Sequence, residues 1–381
     1  MHVSSNLAER STDLGERFPT DGEHRLVVRS IGSASPKLHT ALARVLPQSS
    51  QHLLGCLYRA PAVLVDDISE QLGEHLCSLL GEAGLELELQ HRDEPFVPGQ
   101  GDREVAVFVD DVSRFRELAA EVAAFLGCEL GRAAATLWAS PALLVGSVSD
   151  ATVDALRARL EPLGAQLDVS SPATARYDLL VVDPTPGARA RVLGVLRALG
   201  LPPLDNGPLV ARDLDREQAD AAWARLDRGA PVRMLDQAFQ RFDVRLDAAQ
   251  DSPALRRHLV ERVGMPATVL DQVLRRLPVV LDPGVRHCEL AEHLHALTEL
   301  GAQASAHLVT FQTFDLVIDR ATNPSEAAQT LAALTERPAA ELVAALRRPP
   351  VRIDGPFPAV RARWMQHELR RASARARLEE R

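Results

Sequence analysis

Three prolines, each standing just before an apolar triplet, are followed 23 residues later by a glycine: Pro61 by Gly84, Pro141 by Gly164 and Pro278 by Gly301. A fourth pair, Pro208 and Gly229, is 21 residues apart. With Pro350 added, the anchor prolines stand 80, 67, 70 and 72 residues apart in a chain of 381. A period of that length marks one supersecondary unit used repeatedly, so the chain divides into small cores rather than one large one.

Each unit opens on an apolar run of strand length: "HRLVVRS", "EVAVFVDD", "YDLLVVD", "RFDVRLD" and "TFDLVID". Four of the five then carry a helix start, a capping residue before a proline that suits the first helical position: Ser35-Pro36, Thr185-Pro186, Ser252-Pro253 and Asn323-Pro324. The second unit uses Ser113. The helical segment before each anchor has a break, as in "PKLHTALARVL" then "SSQHLLGCLYRA". The anchor proline ends it, because proline cannot extend the hydrogen-bond ladder. An apolar triplet makes a short middle strand, closed by an acidic or glycine-rich turn. Ser69 and Ser149 start a third helix fifteen residues before Gly84 and Gly164, glycines placed to end it in left-handed backbone. A closing strand follows. The order strand, helix, helix, strand, helix, strand predicts an α+β chain of five tandem two-layer modules, each a three-stranded sheet with helices on one face.

The predicted boundaries are a polar tail at 1–23, module one at 24–90, a linker rich in Pro, Gly and charge at 91–103, and module two at 104–169. Module three, at 177–236, is eroded, with "LPPLDNGP" in place of its second helix. Module four spans 240–310 and module five 313–381, and their short joints predict that modules three to five pack as a rigid array. Counting 23 from Pro350 reaches Ser373, inside what reads as one basic helix over 359–380. The last module is therefore expected to be incomplete, without a closing strand. Leu57, Val63, Leu76 and Leu87 in module one, and Leu137, Leu143 and Leu167 in module two, are expected to be buried. Tyr58, Trp138 and Trp223 read as core fillers.

This order, the helix–proline–strand junction and the endings "EAGLELEL" and "ELGAQASAHL" resemble the C-terminal domain of the bacterial ribosomal stalk protein L7/L12. The resemblance implies that fold and a role in binding rather than catalysis. That family recruits translational GTPases through a lysine-rich turn and helix. The matching stretches here, "LPQSSQHLLGCLYRAP", "LGCELGRAAATLWASP" and "VGMPATVLDQVLRRLP", lack the lysines, so those residues do not carry over.

Composition removes several classes of function. A net charge of −9 disfavours a surface given over to nucleic acid. Lys37 is the single lysine, so no Gly-Lys-Ser/Thr phosphate loop exists. The arginine-rich, lysine-poor bias points to a GC-rich bacterial genome. Cys56, Cys77, Cys128 and Cys288 lie far apart in helical stretches and read as buried free thiols in a reducing cytoplasm. No stretch approaches a membrane span and the first residues carry no apolar leader, so a cytoplasmic location is expected. "RHCELAEHLHAL" gathers His287, Cys288, Glu289, His293 and His295, but helical spacing brings at most two to one point, short of the three a metal needs. "VAVFVDD" and "LLVVDPTPG" look like the acidic strand ends of a receiver domain, without its lysine partner.

The expected function is a non-catalytic adaptor or assembly subunit, binding other proteins or a second copy, with no cofactor, metal or membrane involved. Its docking point is expected in the last helix, at Trp364, Met365 and Leu369 with Arg361, Arg370 and Arg371. From 360 to 381 that segment holds seven arginines against three glutamates. The alternative is a ligand- or metal-binding regulator, or an enzyme, with a site between modules near the 287–295 helix.

Overall fold

The computed structural model describes residues 22–46, 48–182, 186–204, 207–226, 229, 231–335 and 337–381. Five three-stranded sheets follow one another, each with the first strand of its module in the centre. The central strands are His24–Ser30, Arg103–Val109, Tyr177–Val181, Arg241–Ala249 and Thr313–Ala321. Each pairs antiparallel with both neighbours. In modules one and two the centre of this strand is an unbroken apolar run because both faces are covered: Leu26, Val27 and Val28 are all buried, as are Val105, Ala106 and Val107.

The middle strands correct the expectation of a short triplet and a turn. Ala62–Ile68, Ala142–Val148, Leu209–Leu214, Val279–Arg286 and Val351–Pro358 run through the acidic or glycine pair. That pair is a bulge, not an end. Asp67, Ser147, Asp213 and Gly284 take φ of 58°, 58°, 59° and 72° there, and the pairing register slips beside them. In modules three to five an aspartate of the central strand pins the bulge. Asp178 accepts from the Asp213 N–H at 3.1 Å, Asp243 from Gly284 at 3.0 Å and Asp315 from Gly355 at 2.6 Å.

Third helices follow at Glu70–Glu82, Asp150–Leu160, Arg216–Arg225, His287–Glu299 and Ala359–Arg371. Gly84, Gly164 and Gly301 occupy the left-handed position after them, at φ of 96°, 80° and 73°. Helix starts are mostly where expected: Ser252 accepts from Leu255 N–H and Asn323 from Glu326 N–H. In module two, however, Asp111 rather than Ser113 is the cap, accepting from the Ser113 N–H at 2.8 Å. Thr185 lies outside the described residues. Module three has no helix between Leu201 and Pro208 among its described residues, as its sequence suggests.

The fifth module is complete, contrary to the expectation. Its last helix stops at Arg371, Ser373 adopts φ of 55°, and Ala374–Glu380 closes the sheet. Ser373 stands where the 23-residue interval from Pro350 places it, with serine doing what glycine does elsewhere. The helical expectation fails because Ala, Arg, Leu and Glu are strong helix formers. Tertiary pairing wins over that propensity, and the burial alternates along "ARARLEE" with Ala374 in and Arg375 and Arg377 out.

The cores are aliphatic. In module five, Leu316, Ile318, Leu331, Leu342, Met365 and Leu369 form one buried cluster. Leu57, Leu76, Leu137 and Leu167 are buried as expected, but Val63 and Leu87 are half-buried and Leu143 is 52% exposed. Strand alternation explains Leu143: its neighbour Ala142 points inward, which sends Leu143 to the far face. Trp223 is 53% exposed, so it fills no core. Of the cysteines only Cys56 is buried, and Cys288 is exposed.

The chain separates into two compact units, Met1–Ser171 and Pro172–Arg381. The break falls between modules two and three rather than in the 91–103 linker. That linker folds back on module one: Gly99 N–H donates to the Pro61 carbonyl at 2.7 Å and Arg25 lies 5.0 Å over the Phe96 ring. Within the first unit, the helix Asp150–Leu160 of module two packs against the first strand of module one. Arg159 is the joint's centre, donating to the carbonyls of Gly32 and Ala34 while its guanidinium covers Phe125. Tyr58 donates to the Phe125 carbonyl at 3.0 Å, and burial pushes its hydroxyl up to about 12.

Candidate functional site

Within the second unit, modules three, four and five enclose a groove of about 920 Å³. Module three supplies one wall from the far face of its sheet, with Leu180, Val182 and Leu209. Leu209 stands four residues before the bulge residue Asp213, as Val63, Leu143 and Val280 stand before Asp67, Ser147 and Gly284. That column is apolar in the first four modules. In modules two and four it meets solvent, with Leu143 52% and Val280 45% exposed; in module three it lines the groove.

The opposing wall is the helix His287–Glu299, presenting His287, Leu290, Ala291 and Leu294. Five residues after the N-cap, the other four third helices carry Glu74, Asp154, Asp220 and Arg363, where this one carries Ala291. Eight residues after it they carry Cys77, Arg157, Trp223 and Gln366, where this one carries Leu294. Phe242, Leu308 and Phe311 complete the apolar lining. The helix starts on Arg286, which caps it with no side-chain bond.

Polar groups fix the walls. Asp178, 3% exposed, accepts from Gln237 Nε2 at 2.8 Å, Gln240 Nε2 at 2.9 Å and the Asp213 N–H, tying the joint between modules three and four to the sheet of module three. The His287 N–H donates to the Gln240 carbonyl at 3.2 Å, which sets the start of the helix against that joint. The His287 ring lies 6.0 Å from Phe242. Arg241 is buried and donates to the Gly284 carbonyl at 2.8 Å. On the module-five side are Glu380 and Arg381, the latter 3.7 Å from Asp315. Arg212, exposed on the rim, makes no hydrogen bond or ion pair among the described residues.

The histidines of "RHCELAEHLHAL" do not converge. His293 pairs with Asp282 at 3.1 Å and His295 with Glu299 at 3.2 Å, while His287 turns to the groove. Among the described residues no group of three or more His, Cys, Asp or Glu side chains is placed to hold a metal ion.

The docking helix expected at the end of the chain faces inward. Met365 and Leu369 are fully buried in their own module. Arg361 is half-buried, donating to the Leu334 carbonyl at 2.9 Å with its guanidinium 5.4 Å from the Phe357 ring, and Trp364 is half-buried. Arg370 and Arg371 are exposed, the latter 3.5 Å from Glu368. The apolar half of that helix is the side that covers its own sheet. Sequence reasoning reached the 287–295 helix but missed Leu209, Arg212 and Phe311. Aligning the five modules column by column exposes Ala291 and Leu294 as departures.

No family model, no curated protein and no solved structure matches this chain. Among the described residues no helix is long and apolar enough to cross a membrane.

Proposed function

We propose that this chain is a non-catalytic binding protein, a tandem array whose second unit holds an apolar ligand in the groove between modules three, four and five. The observation that carries the reading is the helix His287–Glu299. In the fourth module alone, Ala291 and Leu294 give it an uncharged face toward a concave wall. A further support is that Asp178, Gln237 and Gln240 are spent on holding the walls in place, which preorganises a cavity. Repetition supports an adaptor or assembly role, since arrays create extended surfaces. The pattern resemblance to the stalk-protein domain also favours binding. With Met365 and Leu369 taken by their own core, the groove replaces the last helix as the proposed docking element.

A thermal-shift screen of apolar small molecules tests this. A groove ligand stabilises the folded chain by about 2.7 kcal/mol at a hundredfold excess over Kd. Leu294→Asp, which places a charge on a half-buried groove wall, should remove the shift. Hits that shift that variant equally would contradict the reading.

A further inference from the structure

The groove has a charged rim as well as an apolar interior, and the two together define a ligand class. Its volume of about 920 Å³ lies within the ~300–1,000 Å³ of ordinary small-molecule sites. Leu180, Leu209, Leu290 and Leu294 face it from two modules, a setting for an alkyl or ring body. The acid on the module-three side, Asp178, already accepts three hydrogen bonds. Arg212 follows in the same wall, immediately before the bulge, with no partner among the described residues. His287 lines the cavity beside the Asp178–Gln240 joint. On the side of module five, Arg381 is taken by Asp315 at 3.7 Å and stands next to Glu380, of opposite sign. Among the described residues Arg212 is thus the guanidinium of the rim with no ion-pair partner, a planar fork suited to a carboxylate.

We infer that the groove binds a small amphiphilic carboxylate, its apolar body between Leu209 and Leu294 and its head group on Arg212. This rests on the binding reading above and adds the sign and place of the ligand's charge. In the folded chain Arg212 is exposed, so it can be replaced without disturbing a core.

The test is titration calorimetry on the full chain with decanoate and decyltrimethylammonium below their micelle concentrations and decan-1-ol below its solubility limit. Decanoate should bind at one site and most tightly. Arg212→Gln should weaken it roughly tenfold, to the level of decan-1-ol, the loss of one charge-assisted pair. Leu294→Asp should abolish binding of all three. Equal affinity for the three probes, or decanoate binding unmoved by Arg212→Gln, would overturn the carboxylate assignment while leaving the groove as a binding site. Binding that survives Leu294→Asp, or no binding by any probe, would overturn both.

Discussion

The left-handed residue after the third helix of modules one, two, four and five shows how one chemical choice is repeated and varied. A side chain at Gly301 meets open space, so Gly301→Ala carries only the cost of left-handed backbone, about 1 kcal/mol. At Gly84 a Cβ would also come 2.5 Å from Ser33 Oγ and 2.8 Å from the Ala34 nitrogen. Gly84→Ala should therefore cost clearly more, about 2–3 kcal/mol, and urea melts of the two variants check the order. The strand aspartates differ in another way. The Gly355 N–H and then Arg352 hold Asp315 below the ordinary carboxylate range, whereas burial pushes Asp243 up. For Asp315 the folded value is the lower one, so its stabilisation is complete above the unfolded value of about 3.9 and is lost as pH falls through the folded value. Asp243 has the opposite sign: its ionised form opposes folding at neutral pH, and stability is recovered as pH falls through its raised value toward the unfolded one of about 3.9. Asp315→Asn should flatten the acid limb of stability against pH, and Asp243→Asn should stabilise the chain at pH 7. An acid limb unchanged in Asp315→Asn would refute the first assignment.

At the scale of elements, the order within each module was legible because its punctuation is chemical: anchor prolines, capping serines and terminating glycines. What periodicity did not reveal was depth. Leu76 and Leu143 both look like core residues, yet Leu76 is 5% and Leu143 52% exposed. Leu76→Ala should cost about 2–5 kcal/mol, and Leu143→Ala should fall within about 0.5 kcal/mol of wild type; denaturant melts showing equal losses would count against this packing. The bulge was missed for a similar reason. An Asp-Asp or Pro-Gly pair after an apolar triplet signals a turn locally, but the strand continues because the partner strand supplies ladder bonds across the slip. The groove was half legible. The helix at 287–295 stood out for its histidines, which do not act together, while the residues that set it apart, Ala291 and Leu294, are unremarkable until compared with their four counterparts.

For the whole molecule, five small sheets in two compact units replace the single core that 381 residues might suggest. The linker at 91–103 was visible as composition but does not mark the division, because its Phe96 and Gly99 are held against module one. The account rests on all five modules sharing one plan, and the fifth is where sequence and structure part. Backbone carbon chemical shifts over residues 372–380 of the full chain decide the matter most directly. The account predicts a break at Ser373 and strand values from Ala374 to Glu380; helical values running unbroken to 380 would contradict it.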